Sequence, residues 1–397
     1  MKNLPKLFIS IGDLEIYLIA GYSDSQDNFE LLEKLILPTD SITNNCITDL
    51  DKIVNLIKKN IIIIEQKVNY TFKDIIVILN NFETYFLNLC GFKKLNGTQI
   101  SKENITYILN SLKSCVDEFE ENKKILHIFN SEYRLDKKKL DNLPIGLFGN
   151  FYSHELSFNL IKKNDFYDLE NIFKQCNLKI KKILLESFVK SCLVSDENQE
   201  IDTFFYIEIG YNNSKLFYVE NNAIKFEQKF KFGTEIIVND ICKITSLQNE
   251  KIKNIISENK NLHKTSDNEL IEKKHFNSQQ YIKIKKSLLA KIAKARIDEL
   301  SEKFYFKNIN TKRLLKETDV IFLEINDQGH FNCFNYEYKK SFSYNNKYGI
   351  KIVTKPEIEQ IIHRTDNIVQ FGWKKEAIPV TKSKKTLLTR IFQKIFQ

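Results

Sequence analysis

The chain has 397 residues, of which 42% are hydrophobic and 28% are charged, and its formal net charge is +9. A chain of this length forms two or more domains, or one large bilobed domain, with a sizeable core. Five cations and no acid lie between residue 382 and the C-terminus, so the remainder carries only about +4. That balance excludes the strongly basic composition of a nucleic-acid-binding protein, and no nucleic-acid partner is expected.

Cysteine, histidine and glycine usage narrows the class of protein further. The seven cysteines are dispersed without a CxxC spacing, which predicts reduced thiols in a cytoplasmic protein, and the six histidines form no metal-binding pattern. Asp13 and Glu15 interrupt the first apolar run, so no signal peptide is predicted, and no stretch is long enough to span a membrane. Only 11 residues are glycine and none forms a GG or GxG pair. Because phosphate-cradling loops need such glycines, a familiar nucleotide site is disfavoured.

The first half of the chain predicts alternating strands and helices. Apolar runs at Leu7–Ile11 and Ile16–Ala20 flank a polar turn and predict a β-hairpin. A helix is expected to open at Thr48-x-x-Asp51, which has the spacing of a capping box, and another at Ser101. Further elements follow in order: a buried strand Asp74–Leu79, a strand Lys124–Tyr133, a Pro/Gly turn Asn142–Gly149, a long strand ending at Phe158–Ile161, and a helix from Asp168 to about Cys176.

The second half begins with a short strand and a helix, and an acidic, polar stretch at Ser195–Glu200 then marks a lobe boundary. Three closely spaced strands follow it, and the remaining pattern predicts helices, a strand and a polar linker. The expected elements are strands at Leu178–Lys181, Thr203–Ile209, Lys215–Val219, Ala223–Phe230 and Asp319–Ile325, helices at Leu184–Leu193, Glu235–Cys242, Gln279–Phe306 and Glu357–Ile362, a loose segment Asn259–Asn277, and a linker Lys374–Ser383.

The last fourteen residues, 384–397, form an amphipathic helical pattern without an acid. On a helical wheel the apolar half consists of Leu387, Leu388, Ile391, Phe392, Ile395 and Phe396, and the basic groups are Lys384, Lys385, Arg390 and Lys394. Such a helix suits an anionic membrane surface, where apolar side chains enter the acyl region and cations meet headgroups. The pattern alone equally fits a terminal helix that docks on its own domain.

Several segments, in order along nearly the whole chain, resemble motifs of the bacterial cell-division protein FtsA, an actin-like family. Ile125–Tyr133 resembles the family's LH-I/V-x-P-x-x-Y strand, and Asn142–Gly149 resembles its N-P-x-G-x-x-G turn with one extra residue before Pro144. Further segments are similar to other family motifs: Leu169–Leu178, Gly233-Thr234 with Asp240-Ile241, Ala295–Leu300 and Ile368–Gly372.

This resemblance implies an α/β, actin-like (ribonuclease H-like) two-lobed fold with an inserted α+β subdomain and a C-terminal amphipathic helix. The implied divisions are a lobe-one core at 1–69 and 164–200 with 358–373 returning, an inserted subdomain at 70–163, a lobe-two core at 201–232 and 301–357, a small lobe-two subdomain at 233–300, a linker at 374–383, and a membrane-binding helix at 384–397.

The resemblance also implies a role: tethering FtsZ filaments to the cytoplasmic face of the cell membrane at the division site and recruiting other divisome proteins, with self-association into actin-like protofilaments. In the family, the small lobe-two subdomain receives the C-terminal peptide of FtsZ. The candidate contacts for an acidic peptide are Lys286, Lys291, Lys294 and Arg296, although a Lys-rich solvated face gives the same pattern.

The nucleotide motifs of the family are degenerate in this sequence. The first hairpin, with the family pattern acid-I-G-[ST]-x-[KR], reads Ser10–Glu15 and retains Gly12, but Asp13 and Glu15 stand at the hydroxyl and cation positions. The second, D-I-G-G-G-T-x-D, retains only Glu208 and Gly210, and the strand ending at Ile325 runs into Asn326-Asp327 without a glycine pair. Since carboxylates repel a triphosphate, we expect weak or no ATP and Mg²⁺ binding, no hydrolysis and no catalytic residue.

Two alternatives remain open at this point. An active actin-like or sugar-kinase-type phosphotransferase would need the missing glycine pairs. A related actin-like adaptor of pilus assembly shares the inserted subdomain, but that family is not marked by a terminal membrane helix, so the tail discriminates between the two adaptors. The linker is long enough for the terminal helix to extend away from the rest of the chain, and the family resemblance implies that this helix is an anchor. Membrane binding by the tail is therefore favoured over docking on its own domain.

Overall fold

The structure, a computed structural model, describes residues 4–23, 29–43, 46–80, 82–259, 268–276, 281–314, 320–326, 332–343 and 349–379. The chain divides into two compact units. Unit 1 comprises Met1–Glu200, Glu220–Lys225 and Pro356–Gln397, and unit 2 comprises Ile201–Val219 and Phe226–Lys355.

The described strands are, in chain order, β1 (Lys6–Ile11), β2 (Glu15–Ser23), β3 (Phe29–Pro38), β4 (Ile42–Thr43), β5 (Cys46–Ile47), β6 (Asp74–Leu79), β7 (Thr84–Lys94), β8 (Lys123–Leu135), β9 (Lys138–Leu140), β10 (Phe151–Lys162), β11 (Lys179–Leu185), β12 (Phe204–Gly210), β13 (Ser214–Glu220), β14 (Ala223–Phe230), β15 (Val320–Asn326), β16 (Gly349–Val353) and β17 (Glu376–Pro379).

The described α-helices are α1 (Leu50–Val68), α2 (Lys102–Phe119), α3 (Lys163–Gln175), α4 (Glu186–Glu197), α5 (Glu235–Thr245), α6 (Asn249–Glu258), α7 (Lys286–Ser301), α8 (Asn335–Ser343) and α9 (Ile358–Phe371). A turn of π-helix, Glu302–Phe306, continues α7, and short 3₁₀ turns lie at Lys273–His275 and Asn332–Phe334.

Two five-stranded sheets repeat one topology. In unit 1 the order is β11-β6-β1-β2-β3, and the second sheet has the order β16-β15-β12-β13-β14 when read in the same direction. In both sheets a hairpin supplies the central antiparallel pair, and a later strand of the chain lies parallel to the first strand of that hairpin. The central strands are almost entirely apolar because both faces of a mixed α/β sheet are covered by other elements.

A third sheet in unit 1 has the order β17-β8-β10-β7, with β9 paired to the end of β8. Helix α2 covers one face of this sheet through a core that includes Val116, Ile128, Leu156 and Phe158. The sequence assigned the strand Asp74–Leu79 to the inserted segment 70–163, but β6 pairs with β1 and β11 in the five-stranded sheet. The strands specific to the inserted segment therefore begin with β7 at Thr84.

Many predicted elements are confirmed, and their boundaries need correction at several places. Ser101 caps α2, as expected, and the structure adds a capping box with Asn104. The cap of α1 is Asp49 rather than Thr48, because the Asp49 carboxylate accepts the Lys52 amide hydrogen bond. Helix α3 begins at Lys163, five residues before the predicted Asp168.

Three further expectations were wrong for physical reasons visible in the sequence. The helix predicted over Gln279–Phe306 begins only at Lys286, because Tyr281–Lys285 alternate polar and apolar residues as an extended segment does; the first two residues of the range lie outside the described residues. The segment predicted as loose buries Ile271 and His275. The predicted polar linker contains β17, which pairs with β8.

Candidate functional site

The turn between β1 and β2 is closed by its own backbone. The Gly12 amide donates to the Glu15 carbonyl at 3.1 Å, and the Thr39 amide donates to the Leu14 carbonyl at 2.9 Å. Leu14 is 77% exposed. The Tyr17 hydroxyl donates to the Glu15 carboxylate at 2.7 Å, and burial together with this acidic neighbour raises the pKa of Tyr17 to about 12. The turn therefore presents two carboxylates, Asp13 and Glu15, and an apolar tip.

The turn between β12 and β13 has the same backbone closure and an additional cover. The Gly210 amide donates to the Asn213 carbonyl at 2.9 Å, as the Gly12 amide does to Glu15. The Thr234 and Glu235 amides, at the start of α5, donate to the Gly210 and Tyr211 carbonyls at 3.0 Å each. A Cβ at Gly233 would overlap the Gly210 carbonyl oxygen. The close approach of α5 to this turn thus requires glycine at position 233.

Side chains near the second turn are paired with one another. Lys253 Nζ lies 4.1 Å from the centre of the Tyr211 ring, a cation–π contact. Glu208 faces Lys215 across the β12–β13 ladder and Glu324 across the parallel β12–β15 ladder. Glu324 is fully buried and accepts a hydrogen bond of 2.5 Å from the Tyr206 hydroxyl. Compared with the family pattern D-I-G-G-G-T-x-D, Tyr211 stands at a glycine position and Lys215 at the position of the last acid.

The residues of the two turns do not fit a nucleotide triphosphate. Phosphates bind backbone amides that have no other acceptor, together with cationic side chains. The glycine amide of each turn is already hydrogen-bonded within that turn, and the first turn adds two carboxylates. At the third family position β15 ends at Asn326, and Asp327 lies outside the described residues. The sequence-predicted residues Gly12 and Gly210 therefore lie at the two turns with their amides bonded internally, and Glu208 lies in β12 opposite Lys215.

The four candidate peptide contacts on α7 divide into two classes. Arg296 donates to Asp240 at 2.5 Å and to Glu299 at 2.5 Å, and Lys286 donates to Asn259 at 3.0 Å, so both side chains are engaged within unit 2. Lys291 and Lys294 are exposed, and neither forms an ion pair with any residue that the structure describes. The two classes therefore differ in whether the cation already has a partner within the described part of unit 2.

A cavity of ≈ 350 Å³ lies at the start of α7, and its walls mix cations with apolar groups. Its lining residues are Lys283, Ile284, Lys285, Ser287, Leu288 and Lys291, which we call the basic cavity. The neighbouring Ile282 is 51% exposed and Leu288 is 37% exposed. Lys291 was among the predicted peptide contacts, but Lys283 and Lys285 were not, because the pattern predicted a helix over this stretch with the cations on one helical face.

The remaining sequence predictions concern metal sites, membrane-spanning helices and the C-terminal tail. Within the described ranges no group of three or more His, Cys, Asp or Glu side chains is arranged to hold a metal ion. No described helix is both long and apolar enough to cross a bilayer. The ten predicted membrane-binding residues of the tail, Leu387, Leu388, Ile391, Phe392, Ile395, Phe396, Lys384, Lys385, Arg390 and Lys394, lie outside the described residues.

Comparison with solved structures defines the class of protein. The structure of the PilM–PilN type IV pilus biogenesis complex matches with a TM-score of 0.54 at 9% identity, covering 93% of this chain and 97% of that chain. MreB 5 of Spiroplasma citri bound to AMPPNP matches with a TM-score of 0.46 at 11% identity, covering 93% and 96%. On the first of these matches the chain has the actin-like ATPase fold, which confirms the predicted fold class; the predicted terminal helix is outside the described residues.

At the level of sequence, the chain is similar to the cell division protein FtsA of Buchnera aphidicola subsp. Baizongia pistaciae (strain Bp). The two are 24% identical over 263 residues, which is 64% of this chain. The match spans 61% of the length of that relative. No family model matches the chain.

Proposed function

We propose that this chain is a scaffold of the FtsA type, which tethers FtsZ filaments to the cytoplasmic face of the cell membrane at the division site and recruits other divisome proteins. The observation that carries the proposal is the similarity to FtsA over 263 residues, in a chain with the actin-like fold. The amphipathic, acid-free pattern of residues 384–397 supplies the membrane contact in this proposal.

The basic cavity is the surface that we assign to the FtsZ C-terminal peptide. Three lysines, Lys283, Lys285 and Lys291, line it together with the apolar side chains of Ile284 and Leu288. An acidic peptide with apolar side chains complements such a surface, because cations attract its carboxylates while the cavity takes up its apolar groups. Arg296 and Lys286 have a structural role in this assignment, since both hold other parts of unit 2.

The assignment is tested by titrating a labelled FtsZ C-terminal peptide and following fluorescence anisotropy. Lys291→Glu reverses a charge on the cavity wall, and we expect affinity to fall about ten-fold or more. Lys294→Glu is the matched control, because Lys294 is an exposed lysine of the same helix that does not line the cavity. Equal affinity for both variants would assign the peptide to another surface, and absence of binding to the unaltered chain would overturn the FtsZ proposal itself.

The membrane contact is tested separately by flotation with vesicles that contain anionic phospholipid. We expect the full chain to float and a chain ending at residue 383 to remain at the bottom of the gradient. Phe392→Glu places a charge on the apolar half of the tail and should release the protein, whereas Thr389→Glu on the polar half should weaken binding less. Equal flotation of the truncated chain would show that residues 384–397 are not the anchor.

In this proposal the chain is not an enzyme, and it binds ATP weakly or not at all. The carboxylates Asp13 and Glu15 and the internally bonded amides of Gly12 and Gly210 support that view. Self-association into protofilaments would then be independent of nucleotide.

The second candidate is an adaptor of pilus assembly, which the likeness to the PilM–PilN complex favours. It differs from the first in its partner, so the same anisotropy assay separates the two. Preferential binding of the FtsZ peptide supports the FtsA-type scaffold, and preferential binding of a PilN segment supports the pilus adaptor.

A further inference from the structure

The chain turns a fixed corner after α9, within unit 1. Gly372 ends the helix with a φ of 79°, which is left-handed backbone that favours glycine. The next residue, Trp373, is 9% exposed, and its indole N–H donates to the Asn222 carbonyl at 3.1 Å. The Arg364 guanidinium lies 5.3 Å from the centre of its ring. Trp373 is therefore an anchor from which the following residues start.

The segment after this anchor adds a short strand to the third sheet. The Asn130 amide donates to the Lys375 carbonyl at 2.7 Å, and β17 then runs antiparallel to β8 with Glu376 opposite Phe129 and Pro379 opposite His127. The ladder is irregular between Glu376 and Ile378. Since β17 has only four residues and lies at the edge of the sheet, its own backbone pairing stabilises it weakly.

A buried carboxylate compensates for the weak pairing. The Glu376 side chain is 4% exposed and lies between two partners: the Lys182 ammonium at 2.7 Å and His127 Nδ1 at 3.1 Å. Lys182 belongs to β11 of the five-stranded sheet, whereas His127 belongs to β8 of the third sheet. Glu376 therefore joins two sheets of unit 1 that otherwise share no strand.

Of the three side chains in this cluster, Glu376 and Lys182 are charged and His127 is neutral. Burial lowers the pKa of His127, so its imidazole is neutral and Nδ1–H donates to the carboxylate. His127 Nε2 has no hydrogen-bond partner among the described residues, which also disfavours a protonated ring with two donors. Burial raises the pKa of Glu376, but the His127 hydrogen bond and the Lys182 charge outweigh it, and the pKa lies below its usual value. The carboxylate and the Lys182 ammonium thus form a buried ion pair.

We propose that the segment from Lys374 to Pro379 is a releasable clip: Glu376 fastens the third sheet to the five-stranded sheet of unit 1 and fixes the position of Pro379, 18 residues before the C-terminus. Release would free the edge of β8 and lengthen the connection to the C-terminal segment by up to about 20 Å, the extended reach of six residues. Trp373 would stay in place, and β8 would keep its ladder with β10. The clip does not depend on FtsZ, lipid or nucleotide binding.

The test is hydrogen–deuterium exchange on the full chain, combined with limited trypsin digestion at Lys374 and Lys375. In Glu376→Gln the Lys182 ammonium loses its charged partner, and we expect peptides covering 373–379 and 123–131 to exchange about ten-fold faster or more. Trypsin should cleave this segment correspondingly faster. Glu359→Gln is the matched control, because it removes a carboxylate paired with Lys34 at the surface of the same unit.

A double variant separates the clip from a general loss of stability. Removing both charges, in Glu376→Gln with Lys182→Met, leaves no unpaired buried charge and should restore most of the protection that the single variant loses. The proposal is overturned if Glu376→Gln exchanges like the unaltered chain at 123–131. It is equally overturned if β7 and β10 lose protection to the same extent, because a clip opens without unfolding the sheet.

Discussion

The central sheets of the two units share a strand order but differ in what surrounds their hairpin turns. The β1–β2 turn ends in the exposed Leu14 and carries the carboxylates of Asp13 and Glu15, whereas the β12–β13 turn is covered by the first amides of α5. Both turns keep the same glycine-to-carbonyl closure. The topology therefore depends on the apolar strands and on this backbone closure, and it tolerates the replacement of the residues that would contact a phosphate.

The additions to each unit differ as well. Unit 1 carries a third sheet with two buried histidines, His127 and His154, and the carboxylate clip at Glu376. Unit 2 carries a helical layer, α5, α6 and α7, whose core joins the sheet through residues such as Ile241, Ile255 and Leu289. The buried cluster of Glu376, Lys182 and His127 lies in unit 1, and the basic cavity lies in unit 2.

The largest expected loss of stability comes from substituting Gly233, which packs against the β12–β13 turn, and Gly12 of the β1–β2 turn serves as the comparison. Gly233→Ala would drive a Cβ into the Gly210 and Tyr211 carbonyls, which are backbone atoms that cannot rotate away, so we expect a loss of about 3 kcal/mol in the free energy of unfolding. At Gly12 the corresponding Cβ would lie 3.2 Å from the Glu15 carbonyl, and Gly12→Ala should cost about 1 kcal/mol or less. Similar losses for both would show that the turns are equally crowded.

Urea unfolding distinguishes the units, since the single tryptophan, Trp373, lies in unit 1. Circular dichroism follows both units, and tryptophan fluorescence follows unit 1. Gly233→Ala should shift the circular dichroism transition more than the fluorescence transition. A larger shift of the fluorescence transition would instead show that the substitution destabilises unit 1, contrary to this prediction.

Acid should separate the units next. His154 is buried, its Nε2 lies 2.9 Å from the Asn130 side-chain oxygen, and burial lowers its pKa to about 4. Below the ordinary pKa of about 6.5 the unfolded chain binds a proton that the folded chain does not, so stability is full above about 6.5 and falls until about pH 4. This amounts to about 3 kcal/mol for the single group. Burial lowers the pKa of His127 too, with the same sign.

The measurement is the urea midpoint of Trp373 fluorescence at a series of pH values from 7 to 4. His154→Phe removes the titrating group, and the pH dependence should lose about one proton of slope. An unchanged slope in that variant would assign the acid sensitivity to other groups.

Sequence patterns located most elements of both units but missed single strands in the five-stranded sheet and in the third sheet of unit 1. The hairpin β1–β2, the strand β6 and the three strands β12–β14 follow from apolar runs bounded by turn residues. Strand β3 was missed because Phe29–Pro38 spaces its apolar residues as an amphipathic helix does. Strand β17 was read as linker, since Lys374–Pro379 is polar in composition and its stability comes from partners far away in the chain.

The candidate sites show the same limit. The degenerate turns were visible in the sequence because they are local motifs, and the structure places Gly12 and Gly210 in two equivalent turns. The basic cavity depends on where α7 begins, and a pattern does not fix that boundary to within a few residues. Lys283 and Lys285 were consequently overlooked. Arg296 was predicted as a peptide contact, although its guanidinium already forms ion pairs with Asp240 and Glu299.

A smaller effect compares how helices in the two units are capped. Ser101 accepts the Asn104 amide at the start of α2, so Ser101→Ala should cost about 1 kcal/mol. The Thr234 hydroxyl makes no hydrogen bond to a described residue, because the carbonyls of the β12–β13 turn accept the first amides of α5 instead. Thr234→Val keeps the volume and should be neutral or slightly stabilising. Urea unfolding checks both, and a large loss in Thr234→Val would mean that its hydroxyl is bonded after all.

The smallest expected effect is that of nucleotide, and it is the sharpest test of the comparison between the turns. A ligand with a micromolar Kd, present at about 1 mM, would stabilise the folded chain by about 4 kcal/mol and raise the melting temperature by several degrees. We expect Mg-ATP to leave it unchanged, because the carboxylates of the first turn repel phosphates and the glycine amides of both turns are internally bonded. Calorimetric titration should likewise show no heat of binding.

Asp13→Ser with Glu15→Lys removes the repulsion from the first turn only. If that variant bound ATP, charge in one turn would be the whole obstacle; continued absence of binding would show that the second turn, with Tyr211 and Lys215 in place of a glycine and an acid, is sufficient to exclude it.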